Sequence, residues 1–393
     1  MVLEELHNLP AGELALIAMR GTEDIASSIN NYLVQWRQDV VSRGLVNDAI
    51  VEDYNKDTYL TDVRCPRFGS GEAKGLINQS VRGNDLYIIS DCFNYGVTYR
   101  MYGKEVPMSP DDHYADLKRI IAATYGKARR ITVIMPMLYE SRQHRRSSRE
   151  SLDCALALQE LTAMGVDNII TFDAHDARVQ NAIPTRSFES IPSTYQMIKA
   201  LINETPDLRI DKDNLMVVSP DEGGINRCLY YSNFLSIDLG MFYKRRDYSV
   251  IVNGRNPIVS HEFLGSNVEG KDMIIVDDMI SSGDSIIDIA KQLKQRNAGR
   301  IFVCVTFGLF VEGLKVFDEA YEQGLIEKVF TTNLIYRMPE LKTRPWYCEV
   351  DMSKYIAYIV NMLNHEKSLG EILDPSARVF KFLEKHGYDV KKK

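Results

Sequence analysis

The sequence predicts an α/β protein made of two tandem domains, each a mainly parallel sheet flanked by helices. Three observations carry this prediction. Short apolar runs bounded by Gly, Pro or polar residues recur through the chain, as expected for strands buried on both faces. Stretches with helical spacing alternate with them, the pattern of strand–helix–strand units. The alternation breaks around 184–195, where Pro184, Pro192 and several Ser and Thr residues intervene, and then restarts.

In order, Leu14–Met19 (LALIAM) reads as a first buried strand. Gly21-Thr22 ends it, and Glu23 to Val41 has amphipathic helical spacing. Residues 43–63 are polar and irregular and read as an excursion. Leu86–Ser90 (LYIIS) is a second strand, 103–112 a Gly- and Pro-bearing loop, and Asp112–Tyr125 a helix with Leu117, Ile120 and Ile121 on one face. Ile131–Pro136 and Asn168–Phe172 are strands on either side of a helix over Arg149–Met164. After the break, strands are expected at Leu215–Ser219, 235–239, 273–276, 301–307 and 328–332. Helices are expected from Gly224 and over 285–296, 311–323 and 353–364. Residues 1–193 are thus assigned to the first domain and 194–364 to the second, with 365–393 packing back on the first. The end of the chain, 373–393, closes on three lysines and reads as frayed.

Composition bounds the function. In 393 residues, 45% are hydrophobic and 26% charged, as in globular proteins, and the net charge is −7. An acidic balance gives no broad basic surface, so nucleic acid is not expected as a partner. No run approaches the about 18 apolar residues of a membrane helix. The N-terminus has no basic, apolar signal pattern. Six cysteines, none in a C-x-x-C pair, fit reduced thiols in a cytoplasmic protein.

Chemistry-bearing residues collect where strands end, which is where open α/β sheets bind ligands. The stretch DMIIVDDMISSGDSIID carries Asp277 and Asp278 after an apolar run, then Ser281, Ser282, Gly283, Asp284 and Ser285 before a helical pattern. Loop N–H groups and a helix N-terminus can cradle a phosphate there, while the carboxylates hold sugar hydroxyls or a metal ion. A serine-rich helix cap is the alternative. Glycine-rich RFGSGEAKG exposes Phe68 near Ser70 and Glu72, either a base-stacking platform or a hairpin. Arg142, Gln143, His144, Arg145 and Arg146 form a basic cluster after ITVIMP, fit for a polyanion or for solvent. Asp173, His175 and Asp176 follow NIITF, and Asp221 follows LMVVS; His175 and Asp221 are candidate ligands for a hard cation. Lys244, Arg245 and Arg246 are consecutive cations, a surface cluster or a loop that covers a phosphate-rich transition state.

Taken in order, FGSGE with SVRG, SRQHRR, FDAHD, SPDEGG, KRR and the 272–289 stretch resemble the ribose-phosphate diphosphokinases, or phosphoribosyl pyrophosphate (PRPP) synthetases, from about Leu14 to Leu373. The resemblance implies two phosphoribosyltransferase-like domains. It also implies transfer of the β,γ-diphosphoryl group of MgATP to the C1 hydroxyl of ribose 5-phosphate, giving PRPP and AMP for nucleotide biosynthesis. By this resemblance Ser281 to Ser285 would hold the 5-phosphate and Asp277 and Asp278 the ribose hydroxyls. Arg142, Gln143 and His175 would contact ATP; Phe68, Ser70 and Glu72 would lie at adenine, in this family across a subunit interface. His175 and Asp221 would ligate Mg²⁺. Lys244 and Arg246 would stabilise the transition state as the catalytic cations. A homo-oligomer, a hexamer built from dimers, is the family's expectation. Ser70, His144 and Asp284 depart from the family pattern, and Asp284 would have to point away from a bound phosphate. A PRPP-consuming phosphoribosyltransferase and a non-catalytic, nucleotide-binding regulatory paralogue are the alternatives.

Overall fold

The computed structural model describes residues 9–246 and 258–388; the side chains of 244–261 lie outside that description. Along the chain run β1 (Leu14–Ala18), α1 (Glu23–Ser42), α2 (Val51–Tyr54), β2 (Val63–Arg64), β3 (Leu76–Ile77), β4 (Asp85–Ile89), β5 (Thr98–Met101), β6 (Lys104–Pro107), α3 (Pro110–Ala123), β7 (Arg130–Ile134), α4 (Asp153–Ala163), β8 (Asn168–Phe172) and β9 (Ser187–Ile191). There follow α5 (Thr194–Glu204), β10 (Leu215–Ser219), α6 (Ile225–Leu235), β11 (Asp238–Arg246), β12 (Ile258–Leu264), β13 (Asp272–Ile280), α7 (Asp284–Gln295), β14 (Ile301–Gly308), α8 (Lys315–Glu322), β15 (Lys328–Thr332), β16 (Tyr347–Val350), α9 (Ser353–Asn364), α10 (Gly370–Leu373) and α11 (Ser376–Lys385).

Two compact units result. The first holds the chain up to Pro192 together with Asn333–Tyr336 and Asp351–Leu373; the second holds Ser193–Thr332, Arg337–Val350 and the stretch from Asp374. The sheet of the first unit has five parallel strands in the order β1-β4-β7-β8-β9. Every residue of β4 is buried, so its DLYII run reads as continuous rather than alternating. Leu86, Ile88, Val133 and Ile169 meet Leu117, Ile120, Leu158 and Leu161 of α3 and α4 in the core. α3 begins on a capping box, with Ser109 and Asp112 each bonding the other's backbone and Pro110 at the first helical position.

The second unit has a seven-stranded sheet, β12-β11-β10-β13-β14-β15-β16, parallel except for the β11–β12 pair. All eight residues of β14 are buried. Ile286, Ile287, Ile289, Ala290 and Leu293 form the apolar stripe of α7 over Met273, Ile275, Val303 and Val305. Chain order reverses beside β10, which lies between β11 and β13. That reversal makes the carboxyl ends of these three strands a crevice of the kind that receives ligands.

Several expectations are corrected. Helix 353–364 belongs to the first unit, and the stretch from Asp374 to the second. The first placement follows from Asn364, whose amide donates to Asp85 Oδ2 (2.8 Å) and to the Gly12 carbonyl (3.1 Å), while its Oδ1 accepts from Arg37 Nη2 (2.5 Å). The second follows from α11, where Phe380 and Phe382 lie edge-on to Phe234 and Tyr195. Within the stretch expected to fray, 373–393, Ser376–Lys385 are helical, with Val379 and Leu383, one turn apart, as the buried pair; 389–393 lie outside the described residues. The expected loop 103–112 holds β6, the start of α3 and the turn of the β5–β6 hairpin.

The 43–63 excursion is anchored rather than irregular. Tyr54 is buried, and Asp53 pairs with the fully buried Arg37 at 3.0 Å. Leu16 N–H donates to the Tyr59 carbonyl and Thr61 N–H to that of Leu16, so the excursion also covers the outer edge of β1.

Candidate active site

In the first unit, β7 and β8 are neighbouring parallel strands, so their C-terminal loops emerge side by side. The loop after β7 carries exposed Arg142 and Gln143 and half-buried His144; the loop after β8 carries Asp173, exposed His175 and Asp176. Asp173 takes a left-handed φ of 36°, strained for a residue with a Cβ, and turns the chain sharply at the strand end. The rings of His144 and His175 then meet edge to face, 5.2 Å between centroids. His144 Nε2 stands 3.6 Å from Asp176 Oδ2. Hydrogen bonds from the Arg178 guanidinium hold the Asp176 carboxyl down at about 2, so it is an anion at any physiological pH.

The loop with Phe68, Ser70 and Glu72 joins β2 to β3, a two-stranded pair outside the five-stranded sheet. Phe68 N–H donates to the Glu72 carbonyl and Gly71 N–H to that of Phe68, closing a tight turn. Phe68 is 55% exposed, and Ser70 Oγ donates to Glu72 Oε2 at 2.9 Å. Arg67 anchors the base of this loop on Asp116 at 2.9 Å.

In the second unit the adjacent strands β11, β10 and β13 bring three of the motifs to one edge. The backbone of Lys244 and Arg246 ends β11; their side chains lie outside the described residues. Asp221 follows β10 and accepts through Oδ1 from the N–H groups of Gly223 (2.9 Å) and Gly224 (3.2 Å), shaping the turn into α6. Beside it, β13 extends to Ile280. Asp277 and Asp278 therefore lie inside the strand, not after it, because 277–280 stay paired with β14 as far as Gly308. Both carboxylates are nonetheless reached by one guanidinium: Arg227 Nη1 is 3.7 Å from Asp277 Oδ1 and 3.9 Å from Asp278 Oδ1. Burial, then the neighbouring charge of Asp278, raises the Asp277 carboxyl well above the usual range, and Arg227 opposes the rise.

Ser281, Ser282 and Gly283 then turn into α7. Gly283 has φ 95°, and a Cβ there would collide with the Phe317 ring, so both conformation and space demand glycine. No side chain caps α7, and the first amide that closes onto the helix is Ile287, donating to the Gly283 carbonyl. The Asp284 N–H donates to Ser282 Oγ at 3.4 Å; a helix start of this kind, with amides not used inside the helix, can receive an anion. Asp284 and Ser285 are exposed.

The sequence reading gave no role to Arg227, three residues beyond SPDEGG on α6, which meets the two carboxylates only because β10 and β13 are neighbours. Among the described residues, no three His, Cys, Asp or Glu side chains gather to cage a metal. Asp221 follows β10 in the second unit, and His175 is exposed after β8 in the first.

Cations, carboxylates and a helix N-terminus at strand ends of two α/β units are the features with which α/β proteins bind phosphorylated ligands. Residues 14–165 match the family described as the N-terminal domain of ribose phosphate pyrophosphokinase, and 185–331 match the phosphoribosyl transferase domain. A ribose-phosphate pyrophosphokinase of Mycoplasma genitalium is 30% identical over 347 residues, covering 86% of this chain and 94% of that protein. One from Vibrio cholerae is 28% identical, covering 80% and 92%. The crystal structure of phosphoribosylpyrophosphate synthetase from Mycobacterium smegmatis shares the fold, with a TM-score of 0.70 at 20% identity over 90% of this chain and 99% of that one. The chain belongs to the ribose-phosphate pyrophosphokinase family.

Proposed function

We propose that the protein transfers the β,γ-diphosphoryl group of MgATP to the C1 hydroxyl of ribose 5-phosphate, forming PRPP and AMP. The observation that carries this reading is the end of β13 and the turn after it: paired carboxylates inside the strand, then a helix start with no side-chain cap behind Gly283, whose positive φ and contact with Phe317 demand glycine. Amides of 282–286 and the hydroxyls of Ser281, Ser282 and Ser285 would hold the 5-phosphate. Asp277 and Asp278, with Arg227 between them, would hold the ribose hydroxyls. Asp284, exposed at the helix start, would stay in solvent.

On the donor side, Arg142 and Gln143 would bind ATP phosphates, and Phe68, Ser70 and Glu72 the base. His175 and Asp221 are each proposed as a magnesium ligand. The ion, when bound, neutralises phosphate charge. The ribose O1 attacks the β-phosphorus, the bond from the β-phosphorus to the bridging oxygen of AMP breaks, and the hydroxyl proton goes to solvent. Little covalent work falls to the protein, and positioning and charge neutralisation dominate. Lys244 and Arg246 would neutralise the charge that develops as AMP leaves. The six free thiols support a reducing, cytoplasmic setting, and family resemblance supports a homo-oligomer.

The test is AMP release from MgATP and ribose 5-phosphate. Its absence under every phosphate and Mg²⁺ condition contradicts the proposal. Lys244→Ala should cut kcat at least about a hundredfold while leaving the affinity for ribose 5-phosphate nearly unchanged. Parallel losses in both would rule out a transition-state role.

A further inference from the structure

The β5–β6 hairpin stands outside every role assigned so far. Its turn is Tyr102-Gly103, both at positive φ (48° and 77°), with Met101 paired to Lys104 and Tyr99 to Val106. This two-residue turn fixes the register of the hairpin tightly. Tyr99 and Met101, two residues apart, share one face of the strand. That face lies against the loop bearing Phe68, Ser70 and Glu72.

Four contacts join the two. A Cβ added to Gly71, whose φ is 96°, would sit 2.7 Å from Met101 Sδ and 3.9 Å from Tyr99 Cε2, so the loop backbone is seated directly on these side chains. Tyr102 N–H donates to the Gly69 carbonyl at 2.8 Å. The Arg67 guanidinium lies 4.8 Å from the centre of the Tyr99 ring. Tyr99 Oη in turn donates to Asp112 Oδ1 at 3.4 Å, tying the hairpin to the first turn of α3. The turn is closed by its own hydrogen bonds and held at its base by the Arg67–Asp116 pair, and the hairpin supplies the surface on which its tip is seated.

We propose that the Thr98–Pro107 hairpin is a specificity element for the nucleotide base, with Met101 and Tyr99 as positioning residues that act through the Phe68–Glu72 loop. The inference rests on that loop contacting the base. The hairpin's contacts given above run to the Phe68–Glu72 loop and to α3, so its influence is expected on base recognition rather than on transfer chemistry.

The experiment measures steady-state kinetics of the full-length protein and of Met101→Ala, Tyr99→Leu, Met101→Leu and Phe68→Ala, with ATP and GTP as donors. Met101→Ala and Tyr99→Leu are expected to raise KM for ATP about tenfold and to narrow the preference for ATP over GTP, with kcat at saturating ATP and KM for ribose 5-phosphate within about twofold. Met101→Leu, which refills the space under Gly71, should restore the parent values. A hairpin that only supports folding would lower the melting temperature without moving KM or donor preference. If Phe68→Ala raises KM for ATP and the hairpin variants do not, the inference fails while the base-binding loop stands. If Phe68→Ala also leaves KM for ATP unchanged, both fail.

Discussion

Asp277, proposed to hold a ribose hydroxyl, is a half-buried carboxyl that opposes stability. Its carboxyl is raised by burial and by Asp278. Between the ordinary carboxylate value near 3.8 and its raised folded value, the folded chain holds a proton that the unfolded chain has lost. Stability contributed by this group therefore falls as pH rises through that window. In the ligand-free protein, Asp277→Asn should raise the melting temperature by about 2–4 °C at pH 8 and change it little at pH 4. Thermal melts at the two pH values check this, and an equal loss at both would mean that the carboxylate is structural. The same variant should weaken ribose 5-phosphate binding. The pair itself was legible as two adjacent acids before a small-residue loop, but its place inside β13 was not. Two charges break an apolar run, and what keeps 277–280 in the sheet is the fully buried β14 alongside. Arg227 was illegible for a related reason: nothing in its own helix marks it, and its role exists only because β10 and β13 are neighbours.

At the scale of elements, long apolar runs and amphipathic helices could be read directly, whereas edges, hairpins and covers could not. The polar 43–63 excursion is joined to α1 and α9 through Arg37, which bonds Asp53 and Asn364 and lies 4.7 and 4.8 Å from the ring centres of Tyr54 and Tyr59. His365 is buried beside them. Its Nδ1 donates to the Asn361 carbonyl at 2.7 Å, and its Nε2 meets the Tyr54 hydroxyl. Burial pushes the imidazole down to about 4, with the Arg37 charge adding to the effect. Between the ordinary histidine value near 6.5 and about 4, the unfolded chain binds a proton that the folded chain does not. Stability is therefore complete above pH 6.5 and is lost as pH falls through this window, by up to ~3 kcal/mol. Urea unfolding at pH 7 and pH 5 should show this arm, and His365→Gln should flatten it. A wild-type profile without slope in that range would contradict the account. The partners that tie the excursion to α1 and α9 are distant in sequence, which is why it reads as irregular until α9 is seen beside α1.

For the whole molecule, the repeated strand–helix alternation made two α/β units legible, and strand-end chemistry marked where each would act. The C-terminal exchanges were hidden, because which unit receives α9 or α11 depends on packing partners such as Asp85 and Tyr195 rather than on the helices' own patterns. The central claim concerns the molecule as an enzyme, a diphosphoryl rather than a phosphoryl transfer. Phosphorus NMR of a mixture of the protein, MgATP and ribose 5-phosphate tests it most directly. The account predicts AMP and a sugar bearing a diphosphate at C1 and a monophosphate at C5, in equal amounts. ADP with a singly phosphorylated C1, or no consumption of ribose 5-phosphate, would contradict it.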